Sequence, residues 1–166
     1  DSANPRAKIR ALGRVVKASS QDVFVSWLPL YHDMGLIGAW LGSLYHAMPL
    51  VLMSPLTFLA RPASWLRAIS QYRGTLSAAP NFAYELIARK LPEADLAGLD
   101  LWSWRLAFNG AEPVIPATLE AFAQRLGGGG FPCTSIAPVL SLIPICAPPS
   151  TNSLIYCVFV FTKKTH

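Results

Sequence analysis

The chain has 166 residues, of which 52% are hydrophobic and 14% charged; that fits one compact domain and is too apolar for a disordered chain. Its net charge of +5 sits at the two ends, with Arg6, Lys8, Arg10, Arg14 and Lys17 against Asp1 in residues 1–17, and Lys163 and Lys164 near the other end. The body between them is nearly neutral and carries no basic stripe interleaved with aromatics, which excludes nucleic acid as a partner. The basic run itself reads as a solvated segment.

From Asp22 onward, short β-prone runs alternate with helical stretches. The first strand is predicted over Val23 to Trp27, stopped by Pro29, and the apolar stretch Met34 to Met48 is long enough for a helix. Leu50 to Met53 is a second strand. Pro62 can open the next helix, in which Trp65, Leu66, Ile69 and Tyr72 recur at helical spacing, with Gly74 at C′. Thr75 to Ala78 is a third strand. Asn81 is expected to cap the helix Phe82 to Leu91, with Phe82, Leu86 and Ile87 on its apolar face and Arg89 and Lys90 in its last turn. Arg105 to Phe108 is a fourth strand. Pro116 opens a last helix with Leu119, Phe122, Ala123 and Leu126 inward, and the glycines at 127–130 end it.

Strands separated by helices imply βαβ units, hence an α/β fold with a partial parallel sheet of about four strands and helical crossovers. In such sheets ligands bind outside the carboxyl ends of the strands. Three loops are therefore of interest. The first contains His32 and Asp33, an imidazole beside a carboxylate at a helix start, and it can equally be a local cap beside a surface histidine. The second is Ala79-Pro80-Asn81-Phe82. The third is Asn109-Gly110-Ala111-Glu112-Pro113, whose two small residues let a flat group approach the backbone, and which an ordinary strand-to-helix turn also explains.

Taken together, these loops resemble one family. Ser26 through Leu36, with His32-Asp33-Met34-Gly35 at its centre, resembles the histidine-bearing motif of adenylate-forming (AMP-binding) enzymes. The stretch from Ser54 to Tyr84, with Phe58-Leu59-Ala60-Arg61-Pro62 and Trp65-Leu66, is similar to the fatty acyl-AMP ligases in particular, as is Trp104 to Phe108 running into Asn109-Gly110-Ala111-Glu112-Pro113. The resemblance covers Asp22 to about Leu126. It implies part of the large N-terminal domain of a ligase that joins a fatty acid to ATP with Mg²⁺, giving an acyl-adenylate and pyrophosphate. It also implies that His32 lies near the substrate carboxylate with Asp33 beside it, that Asn81 and Phe82 border the acyl tunnel, and that Gly110, Ala111, Glu112 and Pro113 lie along adenine and ribose. An acyl carrier protein or a polyketide synthase would be the downstream acceptor.

The resemblance divides the chain into a basic segment, 1–21, a partial ligase domain, 22–130, and a divergent Pro- and Cys-rich apolar tail, 131–166. No Gly-rich phosphate loop with a lysine precedes Asp22, and no Lys-Ser/Thr follows the four glycines. Where a Tyr-Gly-Leu-Ala-Glu-like segment with a metal-binding glutamate is expected, the chain reads Leu140-Ser141-Leu142-Ile143-Pro144. A gene fragment, or a reading frame shifted near residues 127–140, would explain the change. The expectation is a piece that is inactive alone; a non-catalytic remnant, or a module that binds an acyl group or nucleotide, is the alternative. Cys133, Cys146 and Cys157 match no zinc spacing and read as free thiols of a reducing compartment. With no signal peptide and no apolar run long enough to span a bilayer, the cytoplasm is the expected location.

Overall fold

The computed structural model describes residues 5–138. Helix α1, Pro5–Val15, comes first. Strand β1, Phe24–Ser26, leads through a turn into a π-helix, Met34–Leu41, which continues as the short helix α2, Gly42–His46. Strand β2, Leu50–Leu52, is followed by α3, Pro55–Ala60, and α4, Ala63–Tyr72. Then come β3, Leu76–Ala79, α5, Asn81–Lys90, β4, Leu106–Asn109, α6, Pro116–Leu126, and β5, Ile136–Pro138. Among the described residues, no helix is long and apolar enough to cross a membrane.

All five strands are parallel, in the spatial order β2-β1-β3-β4-β5. The sheet thus reaches past residue 130, one strand beyond the four that the sequence pattern predicts. Ile136-Ala137-Pro138 is too short and too close to prolines to register as a strand alone, and it is held by pairing with Ala107, Phe108 and Asn109. This order reverses direction at β1, so the topological switch point of a doubly wound sheet falls between β1 and β3.

The register puts Phe24, Leu76 and Phe108 toward α1, the π-helix and α2, where they line one open groove with Ile9, Leu12 and Ile37. The opposite face, with Val25, Ser77 and Ala107, packs against the large side chains of α4, α5 and α6. There Trp65 donates from Nε1 to Ser77 Oγ at 2.9 Å, and the Tyr84 hydroxyl donates to the Phe108 carbonyl at 2.7 Å. An aromatic ladder runs through this layer, from Trp27 to Trp65 (centroids 6.2 Å apart), Trp104 (5.3 Å) and Phe131 (5.0 Å), mostly edge to face.

Three sequence expectations change here. The basic segment is not merely solvated: Ile9, Leu12, Gly13 and Val16 recur at helical spacing, and α1 lays this face on the groove with Ile9 buried. Gly74 is not the left-handed residue that ends α4. Arg73 takes that conformation at φ 51°, and the Gly74 N–H closes the motif on the Ile69 carbonyl at 2.8 Å. Phe82 is 43% exposed, and the buried face of α5 is Asn81, Ala83, Tyr84 and Ile87. The residues Leu140 to Pro144, Cys146 and Cys157 lie outside the described residues.

Candidate functional site at the carboxyl edge of the sheet

The loop after β1 is built by short-range bonds. Buried Ser26 accepts from the Leu28 N–H at 3.2 Å through Oγ, and the Pro29 carbonyl accepts from the His32 N–H at 3.1 Å, which closes a turn. His32 Nδ1 then accepts from the Met34 N–H at 3.2 Å at the start of the π-helix. With Nδ1 accepting, Nε2 is the ring nitrogen left to face outward as a donor. His32 and Asp33 are both exposed.

Asp33 stands at the helix start, yet its side chain caps nothing; the histidine performs that task. Asp33 instead helps line the groove beneath α1. Gly35 has a steric reason, since a Cβ there would lie 2.3 Å from the Pro29 carbonyl oxygen. No other residue lets the π-helix begin so close to the turn.

After β3, Pro80 is extended (ψ 162°) and α5 starts at Asn81. Asn81 does not cap this helix through its side chain, contrary to the expectation from its residue type. It is 3% exposed, and its Oδ1 accepts from Asn109 Nδ2 and from the Ile115 N–H, both at 3.1 Å. The start of α5 is instead served from the next loop, where Glu112 Oε1 accepts from the Phe82 N–H at 2.5 Å. Phe82 leans edge-on toward Trp27 (6.0 Å) and Phe58 (6.5 Å), as the outer member of the aromatic ladder.

After β4, the Gly110 N–H continues the ladder to the Ala79 carbonyl at 3.3 Å. Ala111 then takes a left-handed conformation at φ 68°, uncommon for a residue with a Cβ and concentrated at functional turns. This turn leaves Ala111, Glu112 and Pro113 exposed while Gly110 stays buried.

The fold therefore joins Asn81, Phe82, Gly110 and Glu112 in one hydrogen-bonded unit. His32 and Asp33 share the same sheet edge, on the other side of the switch point, and among the described residues no hydrogen bond ties their turn to that unit. Asn109, which the sequence pattern puts in the third loop, instead fills a buried strand position, and its Oδ1 has no partner. The signal was an amide at the inward position of Leu106-Ala107-Phe108-Asn109. The described residues contain no group of three or more His, Cys, Asp or Glu that could hold a metal ion, and one oxygen of Glu112 is already engaged. They form no all-protein cage, whereas Mg²⁺ needs only one or two carboxylates beside phosphates and water.

A family model described as "AMP-binding enzyme" matches residues 3–153. A medium-chain-fatty-acid–[acyl-carrier-protein] ligase of Teredinibacter turnerae is 47% identical over 133 residues, which is 80% of this chain and 21% of that protein. A 4-hydroxyphenylalkanoate adenylyltransferase of Mycobacterium marinum is 42% identical over 79% of this chain and 21% of its own. The crystal structure of a fatty acyl-adenylate ligase from L. pneumophila, in complex with acyl adenylate and pyrophosphate, superposes with a TM-score of 0.80 at 39% identity. It covers 82% of this chain and 24% of that one. The chain spans about a fifth of the length of the curated relatives it matches.

Proposed function

The chain belongs to the AMP-binding enzyme family, and from that premise we propose that it is the substrate-side portion of a fatty-acid-activating ligase. In the reaction, a carboxylate oxygen of the fatty acid attacks the α-phosphorus of ATP. A new P–O bond forms, the bond to the leaving pyrophosphate breaks, and an acyl-adenylate results. An acyl carrier protein or a polyketide synthase is the acceptor class that receives the acyl group afterwards.

The observation that carries this reading is the convergence of three family-like loops on the switch-point edge of one parallel sheet. His32 suits a place beside the substrate carboxylate, since its Nε2–H can donate to an oxygen while Nδ1 stays fixed by the Met34 N–H. Asp33 accompanies it. Asn81 and Phe82 border the acyl side, where Phe82 offers an exposed apolar ring. Gly110, Ala111, Glu112 and Pro113 lie along adenine and ribose, and the exposed turn from Ala111 to Pro113 is open to a planar base. Mg²⁺ would balance the charge of the phosphates.

The same 166 residues contain no phosphate loop with its lysine. Electrostatic stabilisation of the transferring phosphoryl group carries most of such chemistry, so the chain is inactive alone. The experiment is fatty-acid-dependent exchange of labelled pyrophosphate into ATP by the purified chain. We expect no exchange above background with any chain length. Exchange that needs both ATP and a long-chain fatty acid would contradict the inactivity of the chain alone.

A further inference from the structure

Two side chains cross in opposite directions between the start of α5 and the loop after β4. Asn81, the first residue of α5, reaches the N–H of Ile115 in the loop. Glu112, in the loop, reaches back to the N–H of Phe82 in α5. Each satisfies a donor that its own element leaves open. Phe82 N–H is one of the first-turn donors that a helix cannot pair internally, and Ile115 N–H lies just ahead of α6. Neither Pro80 nor Ile115, the residues before these helices, offers a side-chain cap. A capping box does this within four consecutive residues; here the partners are 30 and 34 residues apart.

Asn81 cannot swing away freely. It is buried, and its Oδ1 also holds Asn109 Nδ2, so release would cost two hydrogen bonds and leave buried polar groups unpaired. Backbone pairing between the two segments ends with Gly110 on Ala79. Beyond that point, the side chains are the connection.

We propose that Asn81 and Glu112 form a reciprocal clamp that makes the start of α5 and the 110–115 loop move as one body. Both are positioning residues, committed to each other's backbone. The meaning of the clamp for acyl and nucleotide sides rests on the functional reading above, but the clamp is tested without ligand, so the two can fail separately.

The test is residue-resolved amide hydrogen exchange on the full chain and on E112A and E112Q. Glu112 is exposed, so neither substitution disturbs the core. In E112A, exchange at Phe82 is expected to rise roughly tenfold, the loss of one charge-assisted bond. Exchange at Ile115 is expected to rise several-fold too, although its own acceptor, Asn81, is untouched. E112Q keeps an oxygen that accepts, and should recover most of both effects. A response at Phe82 alone would make Glu112 a simple cap and overturn the clamp, as would no response at either amide. An equal rise at Val25 and Leu66 in the core would overturn it as well, since Glu112 would then act on the whole fold.

Discussion

Asp22 holds the end of the sheet away from the candidate site. Its Oδ1 accepts from Arg105 Nε at 2.8 Å and from Thr75 Oγ1 at 2.7 Å, and its Oδ2 accepts from Arg105 at 2.9 Å and from the Ser19 N–H at 2.9 Å. Arg105 also donates to the carbonyls of Val16 and Lys17, which ties the end of α1 to β1, β3 and β4. Burial pushes the Asp22 carboxyl up, but the bonds from Arg105, Thr75 and Ser19 outweigh it and bring it from its ordinary 3.8 to about 2. The folded value lies below the unfolded one, so the stabilisation is fully present above 3.8 and is lost as pH falls through about 2. Asp22→Asn should therefore flatten acid unfolding in that window. In urea at neutral pH it should cost about 2 kcal/mol, less than for a fully buried pair because Arg105 keeps 37% of its side chain in water. Unchanged midpoints in both experiments would show that the pair does not hold the sheet. This pair was not legible in the sequence, because its members stand 83 residues apart and nothing local marks them. His32, by contrast, was legible as a site candidate from its neighbours, while its role in capping the π-helix depended on a rotamer that residue type alone does not fix.

At the scale of elements, the positions of strands and helices followed from periodicity and from prolines, and the reasons for particular residues often did not. Gly74 shows the difference. Its place after α4 suggested a left-handed cap, but Arg73 adopts that conformation. Gly74 is required instead by β1, since a Cβ there would lie 2.6 Å from Val25 Cγ2. Gly74→Ala should thus act as an overpacking substitution, pushing α4 off the sheet and costing about 2 kcal/mol. Thermal unfolding checks this; an unaltered or raised midpoint would mean that the contact relaxes without cost. Asn81 teaches the same lesson at a helix start, where good capping chemistry was spent on Ile115 and Asn109 while Glu112 supplied the cap. The π-helical form of Met34–Leu41 was likewise invisible, because an apolar run of that length predicts a helix without specifying its pitch.

For the whole molecule, the alternation of strands and helices implied a parallel sheet, and the order β2-β1-β3-β4-β5 adds the switch point that gathers the loops. Strand order is set by long-range pairing, which a linear pattern does not encode. The surface also carries large apolar side chains: Tyr31 is 92% exposed, Leu56 74% and Leu44 64%. The proposed function requires that the three loops form one acyl-adenylate edge that persists in this chain. The most direct test is to titrate it with a non-hydrolysable acyl-sulfamoyl-adenosine and follow the backbone amide resonances. Saturable shifts are expected, largest at His32 and Asp33, at Asn81 and Phe82, and from Gly110 to Glu112. Saturable shifts elsewhere with these three loops silent, or no shifts at any concentration, would contradict it.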